Sequence, residues 1–225
     1  MALLLNFQEA TAGAQNAFLK TLEEPNPKVL LLLTVNDPEN VLPTISSRCE
    51  LLRLRPMAVN DLAEILMKEN GLSDDKAQLI AHISTGRVGY AKQMADDPEK
   101  MKKRTQWMND LLELLPTERI ARIQYSEKQT SPRKVKRPEA KRRLLEGLPY
   151  WLSFWRDVLL VGTKSTTPVI NIDIRSAVEA TARSVTVAEA ARAVSVLEHT
   201  FKRLPAANLQ LMLDNILLDW PRVIP

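Results

Sequence analysis

The stretch KVLLLLTV, residues 28–35, constrains this chain most. It is a continuous apolar run closed by NDPE. A strand with one wet face alternates, whereas an unbroken run suits a strand buried on both faces of a parallel sheet. Before it, NAFLKTLEEP (16–25) places Ala17, Phe18, Leu19 and Leu22 on one face and stops at Pro25, which predicts a helix. After it, DPENVLPTISSRC predicts a short helical segment capped by Asp37 or Asn36, with a second start near Pro43. ELLRLR (50–55) then alternates as a short strand would. A helix between two strands makes a parallel β-α-β unit, too small to stand alone. The chain is therefore expected to begin inside an α/β domain.

Beyond Pro56 the periodicity turns helical. VNDLAEILMKENG ends at Gly71, LSDDKAQLIAHISTG is capped by Ser73 and ends at Gly86, and VGYAKQMADD is a third short helix. From about residue 99 the pattern predicts a bundle: PEKMKKRTQWMNDLLELL, TERIARIQYSEKQ, the long EAKRRLLEGLPYWLSFWRDVLLVG, and three further helical stretches to the end. The cluster Tyr150, Trp151, Phe154 and Trp155 reads as core packing. Six glycines argue against a glycine-rich all-β fold, and 45% apolar residues suffice for a sizeable core. The expected class is mainly α, with a partial α/β core of parallel strands over 1–55, a three-helix segment over 56–98 and an all-α bundle over 99–225.

Several function classes drop out. Cys49 is the sole cysteine, so no internal disulfide is expected, and with only His82 and His199 beside it no metal site is expected. A reducing, cytoplasmic setting follows. MALLL lacks a basic flank and no run reaches membrane length, so neither a signal peptide nor a span is expected. The net charge of +4 is mild but uneven: residues 128–143 hold eight Lys or Arg against one Glu. Arg133, Lys134, Lys136 and Arg137 are its candidates for nucleic-acid contact. No aromatic residue lies in the run to stack on bases, which favours a solvated linker or helix face.

AQNAFLKTLEEPNPKVLLLLTVNDPENVLPTISSRCELLRLRP resembles the second half of the AAA+ module of bacterial DNA polymerase III clamp loaders. WLSFWRDVLL and ANLQLMLDNILLDWP resemble more weakly the helical collar of that family. The resemblance implies a partial AAA+ core, a three-helix lid and an oligomerising collar. It also implies that Arg48 of SRC is an arginine finger, reaching across a subunit interface to ATP held by a neighbour. A guanidinium suits this, being planar, permanently charged and able to meet phosphate with two N–H groups. In related NTPases such a finger contributes roughly 10³–10⁵ in rate. Ser46 and Ser47 would shape its turn, Thr44 and Glu50 would orient it, and Cys49 would pack beside it rather than act as a nucleophile. The alternative for Arg48 is a surface pair with Glu50. Asn36 falls at the sensor-1 position, with a helix cap as its other reading.

Other family parts are absent from this sequence. It holds no G-x-x-x-x-G-K-[ST] loop, and ALLLNFQEA offers only Glu9 where acidic residues would hold Mg²⁺. At the sensor-2 place stands Tyr90, with Arg87 three residues earlier. The resemblance thus implies the C-terminal portion of a non-hydrolysing stator subunit. It would bind no cofactor itself, with ATP-Mg on an adjacent subunit. The implied partners are the gamma/tau and delta subunits, the sliding clamp, and primed DNA through the assembled ring. Two alternatives remain open: a fragment of a gamma/tau-type motor ATPase, and a basic nucleic-acid-binding helical module.

Overall fold

A computed structural model describes residues 1–26, 28–131, 136–203 and 208–223. The chain divides into two compact units, residues 1–55 and 56–225.

In the first unit, β1 (Ala2–Leu4) lies parallel to β2 (Leu31–Leu33), with Ala2 opposite Leu31 and Leu4 opposite Leu33. Between them runs α1 (Ala12–Glu23), so a β-α-β crossover forms. Thr11 caps α1, its hydroxyl accepting from the Ala14 N–H at 3.2 Å. A small core gathers Phe7, Val41 and Ile45, with Phe18, Leu22, Leu33 and Cys49 against it.

Two expectations need correction. Residues 50–55 form no strand, and the partner of β2 is the N-terminal Ala2–Leu4. Alternation marks a side-chain pattern, but a strand also needs a neighbouring backbone to complete its hydrogen bonds. Among the described residues none pairs with 50–55, and Leu51, Leu52 and Leu54 are exposed. The run at 28–35 yields a strand only over 31–33, and Leu30 and Leu32 are exposed rather than buried. Two strands with a single crossover cannot cover both faces of a sheet.

The segment after β2 forms a 3₁₀ turn at Pro38–Asn40 and then α2 (Pro43–Ser46). Asp37 is the cap, its carboxylate accepting from the Glu39 N–H at 3.0 Å. Asn36 is thereby not the cap.

The second unit is helical. In its first part, α3 (Val59–Asn70), α4 (Asp74–Ser84) and α5 (Val88–Asp96) bury Leu62, Leu66, Ala77, Ile80, Ala81 and Met94. Gly71 closes α3 in the left-handed region at φ 65°, its N–H bonding the Met67 carbonyl. Gly86 is tighter still: it sits at φ 77°, and a Cβ there would lie 2.3 Å from the Met57 carbonyl oxygen.

The second part comprises α6 (Pro98–Leu114), α7 (Arg119–Thr130), α8 (Arg137–Gly162), α9 (Arg175–Ser184), α10 (Val187–Arg203) and α11 (Leu209–Asp219). The aromatic cluster packs inside, as the sequence predicts. Trp151 on α8 meets Trp107 and Trp220 edge-on, each at 4.9 Å between ring centres. Its indole N–H donates to the Trp107 carbonyl at 2.7 Å, which satisfies the one polar atom it buries. α10 starts with a reciprocal cap: the Glu189 carboxylate accepts from the Thr186 N–H at 2.8 Å, and the Thr186 hydroxyl accepts from the Glu189 N–H at 3.2 Å.

Two buried arginines tie this part together. Arg122 donates to the carbonyls of Leu115, Leu217 and Trp220, which close α6 and α11. Burial, then Arg222 and Arg119, lower its pKa. Arg104 pairs with Asp173 at 2.6 Å and donates to Asn171 at 2.8 Å. Asn171 in turn donates to buried Asp157 at 2.8 Å, so the 170–173 loop is pinned to α6 and α8.

Candidate functional site

The tripeptide Ser47-Arg48-Cys49 and the turn before it are shaped locally. Pro43 starts α2 with its φ already fixed for a helix, and the helix stops after one turn. The Ser46 hydroxyl donates to the Pro43 carbonyl at 3.2 Å, and the Ser47 hydroxyl to the Thr44 carbonyl at 3.3 Å. Side-chain bonds of this kind favour turns over continued helix. The Arg48 and Cys49 N–H groups close back on the Ile45 and Ser46 carbonyls at 3.0 and 3.4 Å. Ile45 is buried beneath, which anchors the turn to the small core.

Arg48 leaves this turn 36% exposed. Its Nη1 donates to the Thr44 carbonyl at 3.0 Å and lies 3.5 Å from the Ser47 hydroxyl. Its Nη2 meets Glu23 Oε1 at 2.7 Å. The surface pair expected with Glu50 is thus made with Glu23, the last residue of α1. A guanidinium carries five donors. These contacts occupy three, so Arg48 keeps N–H groups for an anion while held in place.

Gln15, buried on α1, braces the same segment. It donates to the Ala10 carbonyl at 3.1 Å, and its own carbonyl accepts from the Leu42 N–H at 2.9 Å, just before α2. Sequence reasoning missed Gln15 and Glu23. The apolar face of NAFLKTLEEP predicts the helix, but no spacing rule points from α1 to the turn at Arg48.

Cys49 is partly buried against Phe7, Val41 and Ile45, and burial raises its thiol pKa. A raised pKa disfavours the thiolate, so a packing position fits better than a nucleophile. Asn36 is exposed in the bend after β2.

The basic run, residues 128–143, belongs to the second unit. Arg133 and Lys134 lie outside the described residues. Lys136 and Arg137, in the second unit, are exposed at the start of α8, where the Lys136 carbonyl accepts from the Ala140 N–H at 2.9 Å. Further along, Arg143 donates to Gln129 at 2.5 Å. Near Tyr90, which the resemblance aligns with sensor 2, the Arg87 guanidinium lies 5.0 Å from the ring centre and its Nε donates to the Ser84 carbonyl at 2.9 Å. Among the described residues no three His, Cys, Asp or Glu side chains gather as a metal site would require. No helix among them is long and apolar enough to cross a membrane.

The family model for DNA polymerase III, delta subunit, matches residues 1–58, the unit that carries Arg48. DNA polymerase III subunit delta' of Bacillus subtilis (strain 168) is 25% identical over 221 residues, covering 96% of this chain and 64% of that protein. Subunit delta' of Escherichia coli (strain K12) is 37% identical over 81 residues, 36% of this chain and 24% of that protein. DNA polymerase III subunit tau of the same organism is 37% identical over 86 residues, 36% of this chain and 13% of that protein. The chain thus spans less than two thirds of the length of each of these relatives. The resemblance read from the SRC stretch is supported: residues 1–58 match the family model, and the chain is similar to the DNA polymerase III delta' subunits of these two organisms.

Proposed function

We propose that this chain is a stator-type clamp-loader subunit of DNA polymerase III, acting in DNA replication. It hydrolyses no ATP itself. It gives Arg48 in trans to ATP-Mg on a neighbouring subunit, so that the ring can load the sliding clamp on primed DNA. Residues 56–98 serve as the lid and 99–225 as the collar that joins gamma/tau and delta. The observation that carries this reading is the exposed guanidinium of Arg48, held by Thr44 and Glu23 with donors to spare. Likeness to delta' over 96% of the chain supports the subunit class. Tyr90 in place of a sensor-2 arginine, and Glu9 alone at the acidic strand end, support the non-hydrolysing role.

Mixing the protein with its own organism's gamma/tau and delta subunits tests this. Light scattering after size exclusion should give one complex containing all three. A fluorescent ATP analogue should bind the complex and leave the protein alone unlabelled. Failure to assemble refutes the collar role.

A second reading, part of a motor ATPase, is favoured by the likeness to tau. Nucleotide binding by the protein alone would support it.

A further inference from the structure

We propose that Glu23 is the positioning residue for Arg48, so that α1 presets where the finger points. This rests on the trans-finger reading above. Three observations carry it. First, Glu23 and Arg48 come from different elements, and their 2.7 Å contact joins the end of α1 to the turn after α2. Second, the guanidinium is held from two sides, by the Glu23 carboxylate on Nη2 and the Thr44 carbonyl on Nη1. One contact leaves a guanidinium free to swing about the bond, whereas two on different nitrogens fix its plane. Third, the anchor points are themselves fixed. Gln15 bonds the Leu42 N–H at the approach to α2, and buried Ile45 holds the turn to the core.

A long arginine side chain loses rotamer freedom when it meets a phosphate. If a carboxylate already orders it, less is lost in the reacting complex, and the gain appears in turnover rather than in nucleotide affinity. The contact of Glu23 with Arg48 is the one that this reading uses, so the effect of Glu23 must pass through Arg48. That sets a specific expectation: with Arg48 removed, Glu23 has nothing left to position.

The test is a double-mutant cycle on the reconstituted complex, reading the DNA- and clamp-stimulated ATPase. Glu23→Gln should lower kcat about three- to tenfold, within the span of couplings between touching residues. KM for ATP should stay within about twofold, since ground-state binding is not what the pair changes. Glu23→Asp should restore part of the loss. The double variant Glu23→Gln with Arg48→Ala should be no slower than Arg48→Ala alone. If Arg48→Ala slows the complex and Glu23→Gln does not, this proposal is overturned while the finger reading stands. Additive losses also overturn it, because Glu23 would then act by another route. If Arg48→Ala leaves the rate unchanged, the finger reading fails and the positioning role fails with it.

Discussion

In the first unit Leu3, Leu30, Leu52 and Leu54 are 54%, 55%, 71% and 97% exposed, whereas in the second Trp151, Phe154 and Trp155 are 0% exposed. Both units contain long apolar runs, so the difference lies in architecture rather than in composition. A helix satisfies its own backbone and needs to hide only one face, and α6 to α11 hide theirs against one another. A two-stranded parallel sheet leaves edges and faces open however apolar its residues are. The second unit is therefore self-sufficient in its core. The first carries a small core beneath Arg48 and a large apolar surface around it. Among the described residues the larger core thus lies in 56–225, whereas the exposed, anchored guanidinium of Arg48 lies in 1–55.

That contrast can be broken most sharply in the helical core. Trp151→Ala should cost about 3–5 kcal/mol, the range for emptying a large aromatic site. Urea unfolding followed by circular dichroism would read it. A cost under about 1 kcal/mol would mean that the bundle core is not where stability resides.

Next comes the backbone. Gly86→Ala forces a Cβ into a left-handed residue and to within 2.3 Å of the Met57 carbonyl. The left-handed conformation alone costs about 1–2 kcal/mol. A lowered thermal midpoint is expected, and an unchanged one would refute the close approach.

The polar network sharpens the comparison by pH. Burial raises the Asp157 carboxyl above its ordinary value, against the lowering effect of the Ile170 and Asn171 donors. The folded state then holds a proton there more tightly than the unfolded state. Its stabilising contribution is full below the ordinary carboxylate pKa and is lost as pH rises through the raised one. The stability gap between the native protein and Asp157→Asn should therefore shift against the native protein on going from about pH 4 to about pH 7. A gap that moves the other way would contradict the burial argument.

Smallest of all is Glu23→Gln in stability. An exposed pair contributes about 0–1 kcal/mol, so the thermal midpoint should barely move. A large loss would show that the pair builds the fold instead of orienting Arg48.

What the sequence made legible follows the same line between units. The helices of 59–219 were readable because a period of 3.6 is written within each helix and a stop signal such as Gly71 stands at its end, although Ser73, expected as a cap, holds the N-cap position of α4 without a side-chain bond. The aromatic cluster of α8 was readable as core for the same reason. The parallel pairing of Ala2–Leu4 with Leu31–Leu33 was not, since nothing near either run names its partner. ELLRLR carried a strand's alternation with no backbone to pair it. The candidate site was legible at Arg48 and its turn residues, all adjacent in sequence. Its partner was not: Glu50 was the near acid, while folding delivered Glu23 from α1. Asp37 likewise displaced Asn36 as the cap, a choice between neighbours that one side-chain geometry decides.

The most direct test of the central claim is the clamp- and DNA-stimulated ATPase rate of the reconstituted complex with native Arg48 and with Arg48→Ala. The account predicts an assembled complex whose rate falls well over about tenfold, since a finger supplied in trans acts on charge that develops in the transition state. A complex that assembles and runs at the native rate would contradict it.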